Sequence, residues 1–256
     1  MKIAVAGGTG LVGRLIVDAV RAGGNAPVVL ARSTGADVTT GAGLDEALRG
    51  VSTVIDVSNV TTLSRRTAIA FFEAATRNLL AAGRRAGVTH HVVLSIVGID
   101  RVAMGYYLGK RRQEELALSG PVPGTVLRAT QFHEFAAQLL ARGGPFVLVP
   151  KAVYQPVAAA EVASAVLELA LGPAVGMAPE LAGPEPHAMP DLVRRLARAR
   201  GSRRPVVAVR LPGAAGRALR AGGLLPTAPG PRGTRTFAQW LAAGAVTSPP
   251  AEPGRP

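Results

Sequence analysis

Tyr106 and Lys110 are the two residues of this chain whose types and spacing most directly suggest chemistry. They stand four positions apart in a segment with a helical pattern, so their side chains share one face. An ammonium beside a phenol lowers the pKa of the phenol, because the cation stabilises the phenolate. Tyr106 would then protonate a carbonyl oxygen that Ser95, at the end of the preceding predicted strand, holds in place. The alternative is that Tyr106 packs against a sheet and Lys110 is solvated.

A glycine-rich turn follows the first apolar stretch of the chain and precedes a helical pattern. Its residues are Gly7, Gly8, Thr9, Gly10, Leu11, Val12 and Gly13. In dinucleotide sites such glycines permit a tight turn, close approach of backbone to a pyrophosphate, and close packing of helix on strand. The N-terminus of the helix then offers unpaired N–H groups to the phosphates. The turn predicts dinucleotide binding, and the alternative is a glycine turn kept only for packing.

The end of the second predicted strand distinguishes between two dinucleotides. An NAD site has an acidic residue there, bonded to the ribose 2′-hydroxyl, whereas this chain has Arg32 followed by Ser33. A guanidinium binds a 2′-phosphate through two hydrogen bonds, and the serine adds a hydroxyl donor. These residues favour NADP(H) over NAD(H), unless Arg32 is an ordinary surface arginine of an arginine-rich chain. Asp37 is expected beside the adenine or, equally, as a turn residue.

Strands that alternate with helices position these residues. Hydrophobic periodicity predicts strands over 2–6, 27–31, 53–57, 91–95 and 124–127, and helices over 11–22, 44–48, 65–86 and 106–118. Such alternation is typical of an α/β fold with a doubly wound, Rossmann-like parallel sheet. Beyond residue 132 the pattern loosens, with a strand over 153–157 and a helix over 159–171. We therefore expect a dinucleotide-binding domain over 1–172, a small C-terminal α/β lobe over 173–245, and a disordered tail over 246–256.

The motifs together resemble the short-chain dehydrogenase/reductase superfamily. The similarity rests on the glycine turn, on Arg32–Ser33, on the strand end 56–59, on Ser95 and on Tyr106 with Lys110. The segment 125–135 and the segment 155–163 are similar to its NmrA-like atypical branch. Tyr106 and Tyr107 stand in tandem, and the gap from Ser95 to Tyr106 is short for the superfamily, which puts a complete Ser–Tyr–Lys triad in doubt. The branch contains reductases and also regulators that bind the dinucleotide without turnover.

The resemblance also implies the site residues. The cofactor would contact Gly7, Thr9, Gly10, Leu11, Val12, Gly13, Arg32, Ser33, Asp37, Val57, Ser58, Lys110 and Thr130. Lys110 would also bond the ribose of a nicotinamide lying near Ser95 and the segment 129–132. Phe132 and Phe135 are candidates for lining an apolar substrate pocket, with core packing as an equal interpretation.

Composition excludes several classes of site. The chain has no cysteine, so disulfides, thiolate nucleophiles and cysteine-bound metals are ruled out, and no histidine pair has ligand spacing, so no metal is expected. No apolar stretch reaches the length of a membrane span and no secretory signal is visible, so we expect a cytoplasmic protein without a membrane partner. The net charge of +13 consists mainly of scattered arginines without interleaved aromatic residues, which makes nucleic-acid binding a weak third hypothesis.

Two functions from different classes follow from these residues. The first is an NADPH-dependent reductase that transfers hydride to a carbonyl, quinone or conjugated double bond of a small apolar substrate. The second is a non-catalytic NADP(H)-binding redox sensor that acts through a protein partner.

Overall fold

A six-stranded parallel sheet lies at the centre of the computed structural model, which describes residues 1–244. In spatial order its strands are β2 (Ala26–Leu30), β1 (Lys2–Ala6), β3 (Thr53–Asp56), β4 (His90–Ile96), β5 (Gly124–Ala129) and β8 (Gly176–Met177). The central strands are rich in Val, Ile and Leu because both faces of the sheet are covered. The predicted doubly wound, Rossmann-like fold is confirmed. The predicted disordered tail lies outside the described residues.

Helices pack on both faces of this sheet. One face carries α1 (Leu11–Ala22) and α6 (Ala159–Leu171), and the other carries α2 (Leu44–Ala47), α3 (Arg65–Ala86) and α4 (Gly105–Ser119). The bounds of α1, α3 and α6 are those predicted from hydrophobic spacing. Local chemistry sets the ends of α3: the Ser64 hydroxyl accepts the Thr67 N–H at its start, and Gly87 adopts a left-handed conformation at its end. None of the helices in residues 1–244 is long and apolar enough to cross a membrane.

The direction of strand addition reverses at β1. The chain places β2 on one side of β1 and then crosses to place β3 on the other side. Such a reversal opens a crevice at the carboxyl ends of the strands, where open α/β sheets bind ligands. The glycine turn leaves β1 at this crevice, and the segments after β3, β4 and β5 reach the same edge.

A second hydrophobic core packs against the main domain near the carboxyl ends of the strands. It is built from α5 (Glu134–Ala141), β6 (Val147–Pro150), α7 (Met189–Ala199), β10 (Val206–Val209), α8 (Gly213–Arg220) and α9 (Phe237–Ala242). A two-residue antiparallel pair, β7 (Val153–Tyr154) and β9 (His187–Ala188), contributes Tyr154 to this core. The second core takes residues from both sides of position 172, and β8 adds to the main sheet. The elements α5, β6, β8, β9 and α8 were not predicted, because they are short and show no clear period.

One glycine contact and two hydrogen bonds hold the second core against the main domain. A Cβ on Gly98, which has a φ of +78° after β4, would lie 3.0 Å from the Leu224 Cα and closer still to the Gly223 carbonyl. Arg101 reinforces the contact, because its Nε donates to the same Gly223 carbonyl at 3.0 Å. The hydroxyl of Thr130, just after β5, donates to the Gln155 carbonyl at 2.6 Å. The second core is therefore tightly attached to the segments that follow β4 and β5.

We expect Gly13→Ala to destabilise the protein by about 1–3 kcal/mol, because the added methyl would lie 2.7 Å from the Gly8 Cα. Urea unfolding measures the change in the free energy of unfolding. Gly23→Ala at the other end of α1 is the matched control, since its Cβ would meet its nearest neighbour at an ordinary 3.4 Å. Equal stabilities for the two variants would contradict the close packing of α1 on β1.

Candidate active site

The glycine turn forms a backbone cradle at the end of β1. Gly7 has a φ of +77°, which favours glycine, and a Cβ there would lie 2.8 Å from the Val57 carbonyl oxygen. Gly13, in the first turn of α1, packs directly against Gly7. Gly10 caps α1 without any side-chain hydrogen bond, and its backbone is extended. Gly7 therefore makes a tight turn, and Gly13 allows α1 to pack closely on β1, as the glycine pattern predicted.

The N-terminus of α1 is open to an anion. The N–H groups of Leu11, Val12 and Gly13 have no acceptor within the helix, and the first turn contains no acidic residue. Thr9 and Gly10 are exposed at the rim, where the Arg14 Nε donates to the Thr9 carbonyl at 2.6 Å and fixes the turn. The partial positive charge of the helix end adds to these donors. The cradle fits the pyrophosphate of a dinucleotide.

Arg32 and Ser33 lie in the open beyond β2. Both are exposed in a short helical turn, and among the described residues the Arg32 side chain makes no hydrogen bond or ion pair. Asp37 is occupied locally, since its Oδ1 accepts the Thr39 hydroxyl at 2.6 Å and the Thr39 N–H at 2.8 Å. These hydrogen bonds, with a smaller contribution from Arg32, lower the pKa of Asp37. The structure thus supports the turn interpretation of Asp37 and leaves Arg32 available.

Three buried polar side chains at the carboxyl edge have no partner. The hydroxyls of Ser58, after β3, and Ser95, near the end of β4, make no hydrogen bond. Neither does the amide of Gln131, after β5, although both its nitrogen and its oxygen are buried. An unpaired buried polar group costs about 1–3 kcal/mol, so these groups are typical of a site that a ligand completes. Gln131 was not predicted, although it stands within the segment expected to flank a nicotinamide.

Lys110 is enclosed within the protein. Its Nζ donates to the Leu94 carbonyl of β4 at 2.6 Å and to the Gln113 Oε1, and it lies 4.8 Å from the centre of the Phe72 ring. The Gln113 Nε2 in turn donates to the fully buried Asp56 Oδ2 at 2.8 Å. Asp56 therefore fixes the orientation of the amide, which presents its oxygen to the ammonium. The interpretation of Lys110 as a solvated residue is wrong.

Burial lowers the pKa of Lys110 to about 8, and the nearby carboxylates of Asp56 and Glu114 offset part of this shift. Gly109 makes the placement sterically feasible, since a Cβ there would lie 2.7 Å from the Ala68 carbonyl carbon of α3. The α4 helix can thus approach the backbone of α3 and bring Lys110 over Phe72. The buried pair that Glu114 forms with Arg128 of β5, at 2.8 Å, ties the same helix to the sheet.

Tyr106 does not pair with Lys110. Its hydroxyl donates to the Asn59 Oδ1 at 2.7 Å, and its ring packs edge-on against Phe72 and Tyr107. Burial raises the pKa of Tyr106, and no cation opposes the shift. The expectation that Lys110 lowers this pKa is therefore wrong, because the ammonium points inward to β4 and Gln113. Tyr106 remains at the carboxyl edge, beside the loop that follows β3.

The remaining predicted residues have packing roles. Phe132 packs against the main core, and Phe135 lies 6.0 Å from the Tyr154 ring in the second core. The Thr130 hydroxyl donates to Gln155, so its proton is not available to a cofactor. His133 is buried against Phe237 and Trp240, as ring contacts at 5.5 and 5.7 Å indicate. Within residues 1–244 no three His, Asp or Glu side chains come together as metal ligands do.

Comparisons with known proteins identify the fold but no family. No protein-family model matches the chain, and no curated protein matches its sequence. Solved structures are similar over almost the whole length. One is described as a short-chain dehydrogenase/reductase superfamily protein from Agrobacterium tumefaciens with bound NAD, at 21% identity and a TM-score of 0.69, covering 96% of each chain.

Two epimerases show the same architecture. The UDP-N-acetylglucosamine 4-epimerase of Bacillus cereus is 17% identical, with a TM-score of 0.70 and 97% of each chain covered. The UDP-glucose 4-epimerase of Thermus thermophilus, in complex with NAD, is 18% identical, with a TM-score of 0.66, covering 95% of this chain and 93% of the other. At these identities the likeness defines the fold of the chain, a Rossmann-type α/β fold shared with short-chain dehydrogenase/reductase structures.

The chain contains three lysines, so Lys110 can be followed by NMR of lysine labelled with ¹³C at Cε, with Lys2 and Lys151 as references. We expect a titration midpoint of about 8 for Lys110. Asp56→Asn should lower it by about one unit, because the carboxylate stabilises the ammonium. Asp18→Asn, which removes an exposed carboxylate on α1, is the control. An unchanged midpoint in Asp56→Asn would contradict the link from Asp56 to Lys110.

The same group makes stability depend on pH. Between about pH 8 and the ordinary pKa of 10.5, the unfolded chain keeps a proton that folded Lys110 has released, so stability rises with pH. From pH 7 to pH 9.5 we expect a gain of roughly 2 kcal/mol in the free energy of unfolding that Lys110→Met lacks. Lys151→Met, which removes an exposed lysine, should keep the gain. Parallel curves for wild type and Lys110→Met would show that Lys110 is not desolvated.

Proposed function

We propose that the protein is an NADP(H)-dependent reductase of small apolar carbonyl, quinone or enone compounds. The observation that carries this proposal is the set of unpartnered buried groups, Ser58, Ser95 and Gln131, beside the glycine cradle at one edge of the sheet. The cradle supplies the phosphate site, and the unpartnered groups supply hydrogen bonds for the reacting end of a cofactor and its substrate. The NAD-bound structures of similar fold support a dinucleotide in this crevice.

The cofactor would lie along the carboxyl edge from β2 to β5. Its pyrophosphate would bind the N–H groups at the start of α1, next to Thr9 and Gly10, and its 2′-phosphate would bind Arg32 with help from Ser33. The nicotinamide half would pass Val57 and bond the Ser58 hydroxyl. Lys110 would not contact the nicotinamide half directly, because its ammonium is held in the hydrogen-bond network that it shares with Asp56. We therefore assign Lys110 the role of positioning β4 and Ser95.

The substrate oxygen would replace Asn59 as the acceptor of the Tyr106 hydroxyl. Bound NADPH supplies a hydride to the substrate carbon, and the oxygen or the adjoining carbon then takes a proton. Ser95 and the Gln131 amide would hold the substrate, and Tyr106 would donate the proton. Tyr106 is protonated at neutral pH, as tyrosines generally are, and its raised pKa makes it a weaker acid than a tyrosine beside a cation.

Cofactor titrations test the proposed specificity. Arg32→Ala should weaken NADPH binding by about tenfold or more, because a charge-assisted hydrogen bond contributes about 1.5–3 kcal/mol, and should change NADH binding by no more than about twofold. The binding is followed by the fluorescence of the reduced nicotinamide. Arg21→Ala, at the far end of α1, is the matched control. Equal loss of both cofactors, or no preference in wild type, would remove the assignment of NADP(H).

A redox sensor without turnover is the second candidate. Two observations favour it: no cation stabilises a Tyr106 phenolate, and Lys110 is enclosed away from the crevice. A sensor must bind the oxidised and reduced cofactor with different affinities, since only a ligand that discriminates between states shifts an equilibrium.

Oxidation of NADPH, followed by absorbance against a panel of quinones, aryl ketones and enones, separates the two functions. For a reductase we expect turnover in wild type and a loss of about 100-fold in Tyr106→Phe and in Ser95→Ala, within the usual contribution of a general acid. Phe135→Leu, in the second core, serves as a control for packing. Tight NADPH binding without turnover of any acceptor would instead support the sensor.

A further inference from the structure

The second core presents an apolar sheet face to solvent. The strands β6 and β10 form a parallel pair in which Leu148 lies beside Val207. Val147 and Val149 point inward to α7, whereas Leu148 and Val207 point outward with 57% and 40% of their surface exposed. Phe146, immediately before β6, is 54% exposed. These three residues form the outer face of the pair, and no described element covers it.

Cations flank this outer face at both ends. Arg142 and Arg203 are exposed where the two strands begin, and Lys151 and Arg210 are exposed where they end. The Arg204 guanidinium holds the first end together, because it donates to the carbonyls of Leu140 and Arg142. The apolar residues therefore lie between two pairs of positive charges.

The surrounding sequence contains little charge of the opposite sign, and Asp191 at the start of α7 pairs with Arg194 at 2.8 Å. From residue 192 to residue 244 there are eleven arginines and no aspartate or glutamate, and no acidic residue occurs between 135 and 160. Positive charge along one face attracts an anionic surface, and the attraction acts over about 8 Å at physiological salt. Nucleic acid would satisfy the charges but would leave Leu148, Val207 and Phe146 without apolar contact. An anionic lipid surface satisfies both, because its headgroups pair with arginine while its acyl region accepts apolar side chains.

We propose that the outer face of β6 and β10 binds the surface of an anionic phospholipid bilayer. Phe146, Leu148 and Val207 enter the interface, and Arg142, Arg203, Arg210 and Lys151 pair with the headgroups. The predicted absence of a membrane partner rested on the lack of a membrane-spanning segment, and a surface contact needs none. The interaction lies outside the crevice at the carboxyl edge of the main sheet, so it is independent of the proposed reductase activity.

Co-sedimentation of the full chain with vesicles tests the proposal. We expect binding to phosphatidylcholine vesicles that contain phosphatidylglycerol, little binding to phosphatidylcholine alone, and loss of binding at high salt. Replacing Phe146 and Leu148 together by serine should weaken binding at least about tenfold, because two exposed apolar side chains leave the interface. Replacing Arg203 and Arg210 by glutamine should weaken it roughly fivefold for each arginine.

Matched variants make the outcome decisive. Leu171 and Val175 are equally exposed apolar residues at the edge of the main sheet, and replacing both by serine should leave vesicle binding unchanged. Thermal unfolding verifies that each variant is folded. The proposal is overturned if replacing Phe146 and Leu148 leaves vesicle binding unchanged. It is also overturned if replacing Leu171 and Val175 weakens binding by the same factor. Binding to duplex DNA with no binding to anionic vesicles overturns it in favour of nucleic acid.

Discussion

The backbone contact between Gly13 and Gly7 is the constraint on which the rest of the site depends. A side chain at Gly13 would push α1 away from β1, and the free N–H groups at the start of the helix would then no longer face the crevice. The contact also brings the turn against the segment after β3, because Gly7 lies against the Val57 carbonyl and the Ser58 backbone. Two neighbouring strand ends are thereby held at one point, and the phosphate cradle and the unpartnered Ser58 hydroxyl become parts of one surface.

A second constraint comes from the enclosed ammonium of Lys110. A buried charge is tolerated only where hydrogen bonds and an opposite charge compensate it, and here the Leu94 carbonyl, Gln113 and Asp56 together provide this compensation. The network links α4 to the ends of β3 and β4, the strands that carry Ser58 and Ser95. The chemistry expected from a tyrosine and lysine pair is thus replaced by a structural role for the lysine. Tyr106, without a cation beside it, is a hydrogen-bond donor rather than a preformed phenolate.

The two hydrophobic cores belong to parts of the molecule that also differ in their charged residues. The main domain carries most of the acidic residues, several of them in ion pairs between neighbouring helices such as Arg112 with Glu73. The second core is nearly free of acidic residues. Among its arginines, Arg204 bonds backbone carbonyls and Arg194 pairs with Asp191. The tight contact of Gly98 with the Gly223 carbonyl joins two bodies with different surfaces. The two proposed functions can therefore be tested separately by substitutions on one body only.

The sequence by itself determined the architecture of the main domain. The spacing of apolar residues in 65–86 and the glycine pattern at 7–13 predicted α3 and the tight glycine turn, because both depend on interactions within a few residues along the chain. The short elements beyond residue 132 were missed, since α5, β6 and α8 are stabilised mainly by contacts with distant residues. The tertiary structure also decided the direction in which Lys110 points. Spacing along α4 placed it on the face of Tyr106, but the contact of Gly109 with α3 and the acceptors at Leu94 and Gln113 drew the ammonium inward, and no local pattern encodes those partners.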